Sequence, residues 1–276
     1  MRWRSLLAFP VFLFIAFASS TTVMAAPHLD AVHTTSHSTL RHRQVGSQNV
    51  AVPSYFYPGS LWTQLESGAP TVGLAIINPN SGPGASKDPN YANQVTSAEA
   101  AGVKVIGYVS TSYAGTQNTA RTLAAAEKDV DTYYSWYPNI DGIFVDEVST
   151  DCAARDSYYK PLYDYIKSKG GVAEVVLNPG TNTSECYTSA GDIIINFEDV
   201  YSNYVNWSPD SWVSNYPASQ FWQIIYSTSA SDMPNAISLS KQRNAGWVYV
   251  TDDGGDNPYD TLPSYWSDEL SLASQS

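Results

Sequence analysis

From Val52 to Asp252 the sequence repeats one unit eight times, a short apolar run rich in β-branched and aromatic residues followed by a longer stretch of helical character. The runs are Val52–Tyr57, Val72–Asn78, Val103–Ser110, Gly142–Glu147, Val172–Asn178, Asp192–Glu198, Phe221–Ser227 and Trp247–Asp252. Helices are expected at Leu61–Ser67, Tyr91–Ala101, Ala120–Trp136, Tyr158–Lys169 and Ala236–Ala245, with a last one at Pro263–Ala273. Strands that are apolar throughout suit a parallel sheet covered on both faces, and parallel neighbours need crossovers of a dozen or more residues. Eight such units in about 225 residues approach the size of a closed α/β barrel, the (β/α)8 TIM barrel. A doubly wound open sheet would need a glycine-rich phosphate loop after an early strand. The segment Pro79-Asn80-Ser81-Gly82-Pro83-Gly84 has neither the GxGxxG nor the GxxxxGK[ST] spacing. One barrel domain is therefore expected over residues 50–276.

The residues before the barrel set its compartment. Arg2 and Arg4, the apolar run Leu6–Ala18 and the small residues Ala25 and Ala26 read as a secretory signal peptide over 1–26. That run is too short to span a bilayer comfortably. Residues 27–49, rich in Ser, Thr, His and Arg, cannot bury enough apolar surface to offset chain entropy and are expected to form a flexible leader. A secreted, extracellular protein follows, free of the membrane once the signal is cleaved. In an oxidising compartment the two cysteines, Cys152 and Cys186, are expected to form one disulfide.

All four histidines, His28, His33, His37 and His42, fall in the leader. A barrel without histidine cannot run Ser-His-Asp or Cys-His chemistry, and it cannot build a His-ligated zinc site. Carboxylate, tyrosine and lysine chemistry remain. No metal or organic cofactor is expected, since Asp252-Asp253-Gly-Gly-Asp256 lacks the spacing of an EF-hand loop. The net charge of −12 becomes more negative over the barrel, because Arg2, Arg4, Arg41 and Arg43 precede it. Nucleic acid and anionic membranes are thereby disfavoured as partners, and neutral or cationic substrates are tolerated. A monomer is expected.

In a barrel of this kind the chemistry sits at the C-terminal strand ends. The second run ends in Asn78, the third in Tyr108 and Ser110, the fourth in Asp146 and Glu147, and the fifth in Asn178. The sixth ends in Asn196, Glu198 and Asp199, and the eighth in Asp252 and Asp253. Period-two alternation puts Gly142, Phe144 and Asp146 inward with Glu147 at the rim, and puts Ile194, Asn196 and Glu198 on one face. Asp146, Glu147 and Glu198 are the expected catalytic set, because glycoside hydrolysis needs one carboxylic acid to protonate the leaving oxygen and a second carboxylate as nucleophile or base. Their separation, which distinguishes retention from inversion, is not legible in sequence. Glu198 is provisionally the acid/base. Asp151, Asp199 and Asp253 fit helix caps instead. Tyr55, Asn78, Tyr108, Tyr113, Asn178, Asn196, Trp222 and Asp252 are expected to bind substrate, the flat rings suiting sugar faces. Asn182 and Asn206 begin N-glycosylation acceptor patterns.

The segments Val52-Pro-Ser-Tyr-Phe-Tyr-Pro58, Ile77-Asn-Pro-Asn-Ser-Gly-Pro-Gly84, Gly107-Tyr-Val109 with Tyr113, and Asp141-Gly-Ile-Phe-Val-Asp-Glu147, in this order, resemble the spherulation-specific (spherulin-four) family. The resemblance covers most of the chain after the leader. It implies a (β/α)8 glycoside hydrolase of microbial surfaces and matrices, similar to endo-acting enzymes that cleave galactosaminogalactan, an α-1,4-linked polymer of galactose and N-acetylgalactosamine. It also implies functional carboxylates at Asp146, Glu147 and Glu198. The competing reading is a non-catalytic glycan-binding wall or spore-coat protein, which predicts loss of one carboxylate; none is lost.

Overall fold

The computed structural model describes residues 46–170 and 172–276. The expected signal peptide and the leader up to residue 45 lie outside the described residues. Eight parallel strands close in sequence order into a barrel: β1 (Asn49–Val52), β2 (Val72–Ile77), β3 (Lys104–Ser110), β4 (Gly142–Asp146), β5 (Glu174–Leu177), β6 (Ile193–Val200), β7 (Phe221–Tyr226) and β8 (Trp247–Val250). The main covering helices are α1 (Ser60–Glu66), α2 (Pro89–Ala101), α3 (Leu123–Trp136), α4 (Lys160–Lys167), α5 (Tyr201–Tyr204), α6 (Met233–Gln242) and α7 (Trp266–Ser274). No helix among the described residues is long and apolar enough to cross a membrane.

The expected (β/α)8 fold is the one observed, with its first strand displaced. The expected run Val52–Tyr57 begins where β1 ends, because Pro53 has no N–H to continue a ladder. The strand instead uses Asn49 and Val50, and Gln48 before it is buried with its side-chain amide donating to Ala245 O (2.7 Å) and Ser240 Oγ (2.9 Å).

Rings fill the barrel interior. Tyr108, Phe144 and Trp222, from β3, β4 and β7, form a continuous aromatic file at centroid spacings of 5.7 and 6.4 Å. Burying side chains of this size stabilises the fold by about 2–3 kcal/mol each. Two glycines permit close approaches that a side chain would block. A Cβ at Gly107 would lie 2.6 Å from the Tyr133 ring of α3, and one at Gly142 would lie 2.0 Å from Glu174 O on β5.

The acids at the strand starts are structural. Asp141, just before β4, accepts from Val105 N (2.7 Å), and Asp192, before β6, accepts from Val175 N (2.9 Å) and Lys167 Nζ (2.9 Å). They tie the N-terminal face of the barrel together, so the polar groups at the opposite ends of the same strands are free for other work.

Candidate active site

Asp146, at the end of β4, projects into the mouth one step beyond Phe144. Its Oδ2 accepts from Tyr108 OH at 2.6 Å and its Oδ1 from Asn178 Nδ2 at 2.8 Å. The same Asn178 nitrogen donates to Glu198 Oε2 at 2.6 Å, and Glu198 Oε1 accepts from Tyr259 OH at 2.5 Å. The result is one row of charge-assisted hydrogen bonds, Tyr108–Asp146–Asn178–Glu198–Tyr259, across strands β3 to β6 and the loop after β8. An amide nitrogen whose two N–H bonds diverge by about 120° holds its two acceptors about 5 Å apart. The opposite amide orientation would set Asn178 Oδ1 against two carboxylate oxygens, which fixes the assignment. That Oδ1 is itself buried without a partner.

Both carboxyls titrate above their usual range. For Asp146 the cause is burial, opposed by hydrogen bonds from Tyr108, the Glu147 amide and Asn178. For Glu198 the causes are burial and then the negative charge of Asp146, opposed by Tyr259 and Asn178. Two carboxylates this close do not both ionise freely, so they hold a proton between them. Asp146 has the larger set of donors and is the better-stabilised anion; Glu198 is the better place for the proton.

Glu147 is turned away from this pair by its backbone, which is left-handed at φ 55°. A non-glycine residue held there costs about 1–2 kcal/mol, and the neighbouring loop over-determines it. Tyr113 N donates to Glu147 O (2.7 Å), as does Thr111 Oγ1 (2.9 Å), while the carboxylate accepts from Ser110 Oγ (2.5 Å) and Ser112 N (3.1 Å). Two of these donors, Ser112 N and Tyr113 N, belong to Ser112–Gly115, a single left-handed turn with φ of 49°, 55°, 58° and 76°. Such strain concentrates at functional sites. Here it aims Glu147 into its own cleft and leaves Tyr113 exposed at the rim.

Open clefts flank the central row. On the Glu147 side a cleft of about 320 Å³ is lined by Tyr108, Ser110, Ser112, Arg121 and Glu147. On the Glu198 side a cleft of about 390 Å³ is lined by Gly180, Thr181, Glu198, Asp199 and Trp207. Gly180, left-handed at φ 64°, accepts at its carbonyl from Glu198 N (2.9 Å) and keeps the second cleft open beside the carboxylate.

Among the residues expected to bind substrate, Tyr108 and Asn178 stand in the central row. Tyr55 packs edge-on against Tyr108 (5.8 Å) and Tyr259 (5.5 Å), backing both phenols that reach the carboxylates. Asn78 lies beside the mouth, where its Oδ1 accepts from Gly82 N (3.0 Å) and shapes the loop after β2. Two others, Trp222 and Asn196, need correction. Trp222 is fully buried in the aromatic file and has no surface to offer a sugar. Asn196 is buried because β6 bulges between Ile195 and Phe197. The extra residue breaks the alternation, so Asn196 Oδ1 accepts from Gln223 Nε2 (3.4 Å), whose Oε1 takes Tyr204 OH from the helix layer (2.5 Å). Asp252 is exposed and accepts from Ser264 N (3.0 Å) and Ser264 Oγ, which ties the loop after β8 to the turn before α7. Tyr259 went unpredicted; it lies in the loop after β8 within Asp256-Asn-Pro-Tyr-Asp260, a segment with no periodic signal.

The disulfide joins Cys152 to Cys186 at a Cα separation of 6.1 Å. It ties the loop after β4 to the short turn Glu185–Ser189 that precedes β6. Asp151, as expected, caps rather than catalyses, accepting from Ala154 N (2.8 Å).

Comparison with known proteins places this geometry. Residues 49–273 match the family model described as spherulation-specific family 4. The chain is 41% identical over 233 residues to Spherulin-4 of Physarum polycephalum, an alignment covering 80% of this chain and 68% of that one. In three dimensions it is similar to Aspergillus clavatus Sph3, solved in complex with GalNAc, with a TM-score of 0.71, 26% identity and coverage of 83% of this chain and 98% of that one. It also shares its fold with an endo-beta-N-acetylglucosaminidase from Cordyceps militaris, at a TM-score of 0.54, 13% identity and coverage of 84% and 92%. The chain belongs to spherulation-specific family 4.

Proposed function

We propose that the protein is an exported, endo-acting glycoside hydrolase that cleaves a hexosamine-containing extracellular polysaccharide of the galactosaminogalactan type. The observation that carries this reading is the Asn178 amide shared by Asp146 and Glu198, which brings one oxygen of each carboxyl to about 5 Å from the other, between open clefts. That distance is the one retaining glycosidases use, about 5–5.5 Å, and is too short for the intervening water of an inverting enzyme. The bound GalNAc of Sph3 and the polysaccharide implied by the family resemblance support the substrate class. Clefts on both sides of the pair suit a polymer lying across the mouth, hence internal cleavage. The disulfide suits an extracellular protein.

In this mechanism Glu198 delivers its proton to the glycosidic oxygen as the C1–O bond breaks, and an Asp146 oxygen bonds to C1. Glu198, now a carboxylate, then takes a proton from a water whose oxygen attacks C1, and the Asp146–C1 bond breaks. Each residue is thereby restored. Tyr108 stabilises the Asp146 anion before the first step and again after the second, and Glu147, anchored by Ser110 and Ser112, accepts from hydroxyls of the sugar on its side. Activity falls as pH rises through the elevated pKa of Glu198, which loses its proton, and falls at low pH as Asp146 protonates.

The test is reducing-sugar release from galactosaminogalactan and a panel of other microbial exopolysaccharides by the wild type and by Glu198→Gln. Release by the wild type alone is expected. Binding of the same glycans with no release from any of them would instead make the protein a non-catalytic glycan binder.

A further inference from the structure

We infer that the Glu198 side of the mouth is an extended glycan groove with two successive aromatic platforms, Trp207 and Trp212, so that the protein recognises at least two sugar units on the leaving-group side of the bond it cuts. The inference rests on the hydrolase reading above, since Glu198, as acid, marks the side from which the leaving sugar departs.

The first platform adjoins Glu198. Trp207 is half-buried and lines the same cleft, and its ring is backed rigidly by other rings. It stacks on Tyr204 at 6.0 Å with 21° between planes and lies 4.9 Å from Phe197. The Arg243 guanidinium lies over both rings, 4.3 Å from Tyr204 and 5.5 Å from Trp207, and donates to Tyr204 O at 2.8 Å. A flat ring fixed before the ligand arrives loses little entropy on binding. Asn203 and Asn206, on the same cleft, supply polar groups for sugar hydroxyls.

The second platform lies in a cleft lined by the next residue of the same loop, Asn182 after Thr181. Trp212, also half-buried, lies edge-on to Tyr216 (5.8 Å) and lines a separate cleft of about 370 Å³ with Glu185 and Asp210. One wall divides the two clefts: Thr181 lines the first, Asn182 the second, and Asn182 Nδ2 donates to Ser208 O at 3.0 Å. That hydrogen bond locks the loop after β5 to the segment carrying both tryptophans. Cys186, next to Glu185, anchors the far wall through the disulfide. A half-exposed flat ring with hydrogen-bonding groups around it, repeated in adjacent clefts of similar volume, is a surface for a linear polymer of pyranoses. The mechanism requires neither ring, and packing needs require neither to be exposed.

The experiment uses a size-fractionated ladder of α-1,4-linked N-acetylgalactosamine oligomers with the wild type, Trp207→Leu and Trp212→Leu; leucine keeps apolar packing and removes the flat face. In the wild type kcat/KM climbs with chain length. Trp207→Leu lowers kcat/KM of long oligomers by about tenfold, the effect of roughly 1.4 kcal/mol of lost stacking, and flattens the climb from its beginning. Trp212→Leu removes only the last increment. An active enzyme whose variants both keep the wild-type length dependence would overturn the groove and leave the hydrolase reading standing. If the wild type cleaves no oligomer, the hydrolase reading fails by itself. Calorimetric affinities for the same ladder then decide the groove: weaker binding by both variants supports it, and equal binding overturns it.

Discussion

Among the carboxyls whose pKa burial has raised, those at the mouth and the one at a seam of the barrel differ in what surrounds them. At the mouth, Asp146 and Glu198 share one amide donor, each also takes a phenol hydroxyl, and clefts open on either side. At the β8–β1 seam, Glu269 of α7 is fully buried, with Oε1 accepting from Val250 N at 2.7 Å and Oε2 without a partner. The seam explains Glu269. Strands β8 and β1 pair only at Trp247 and Val248, and β1 leaves the sheet at Pro53. Thr251 N faces β7, donating to Ile225 O (2.9 Å), so by alternation Val250 N faces the gap and a helix side chain fills the place of a missing strand. A raised carboxyl pKa is therefore not in itself the mark of a site. Access to ligand and a second ionisable partner separate the pair from the plug.

The comparison breaks first at the carboxylates. Asp146→Asn and Glu198→Gln are each expected to lower kcat by about 10³-fold or more with cooperative folding retained, whereas Glu269→Gln leaves kcat as it was; initial rates and thermal melts on the three variants check this. A smaller loss follows from Asn178→Ala, which leaves the two charges facing each other without their common donor. A fall in kcat of about 10²-fold is expected, with the pair's apparent pKa values in the pH–rate profile moving further up. Tyr259→Phe removes a hydrogen bond that lowers the Glu198 pKa. Its basic limb should therefore move to higher pH, and kcat should fall by about tenfold. A limb that stays in place would show that Tyr259 does not act on Glu198.

The smallest effect is at the plug and concerns stability alone. The folded-state pKa of Glu269 lies above its unfolded value. The folded state thus retains a proton that the unfolded chain releases, so this group costs nothing below the unfolded pKa and costs progressively more as pH rises toward the folded one. Glu269→Gln keeps the acceptor for Val250 N and removes the titration. Its advantage over the wild type in denaturant midpoint should grow from acidic to neutral pH; a constant difference would contradict the burial of a neutral carboxyl.

Much of this site was legible in sequence, for a local reason. Asp146 and Asn178 follow apolar runs whose period-two alternation survives folding, so their direction into the mouth could be read along the strand. Strand β6 shows where that logic stops. Its bulge lies between Asn196 and its neighbours, and no residue there announces an insertion; Glu198 reaches the mouth, but Asn196 joins Gln223 outside it. The first strand misleads differently, since Tyr55, Phe56 and Tyr57 have strand-like composition yet follow a proline that ends the ladder. Tyr259 and Trp207 were beyond local reading altogether. Tyr259 meets Glu198 across 61 residues only because the barrel closes, and Trp207 becomes a platform only through Tyr204 and Phe197 behind it.

On the proposed mechanism Asp146 and Glu198, held by Asn178, hydrolyse a glycosidic bond by double displacement. Proton NMR of the anomeric signals in the first minutes of digestion of galactosaminogalactan by the wild type tests it most directly. The new reducing end should first appear with the configuration of the bond that was cut, and Asp146→Asn should yield no signal. First appearance of the opposite anomer, or an undiminished signal from Asp146→Asn, would contradict it.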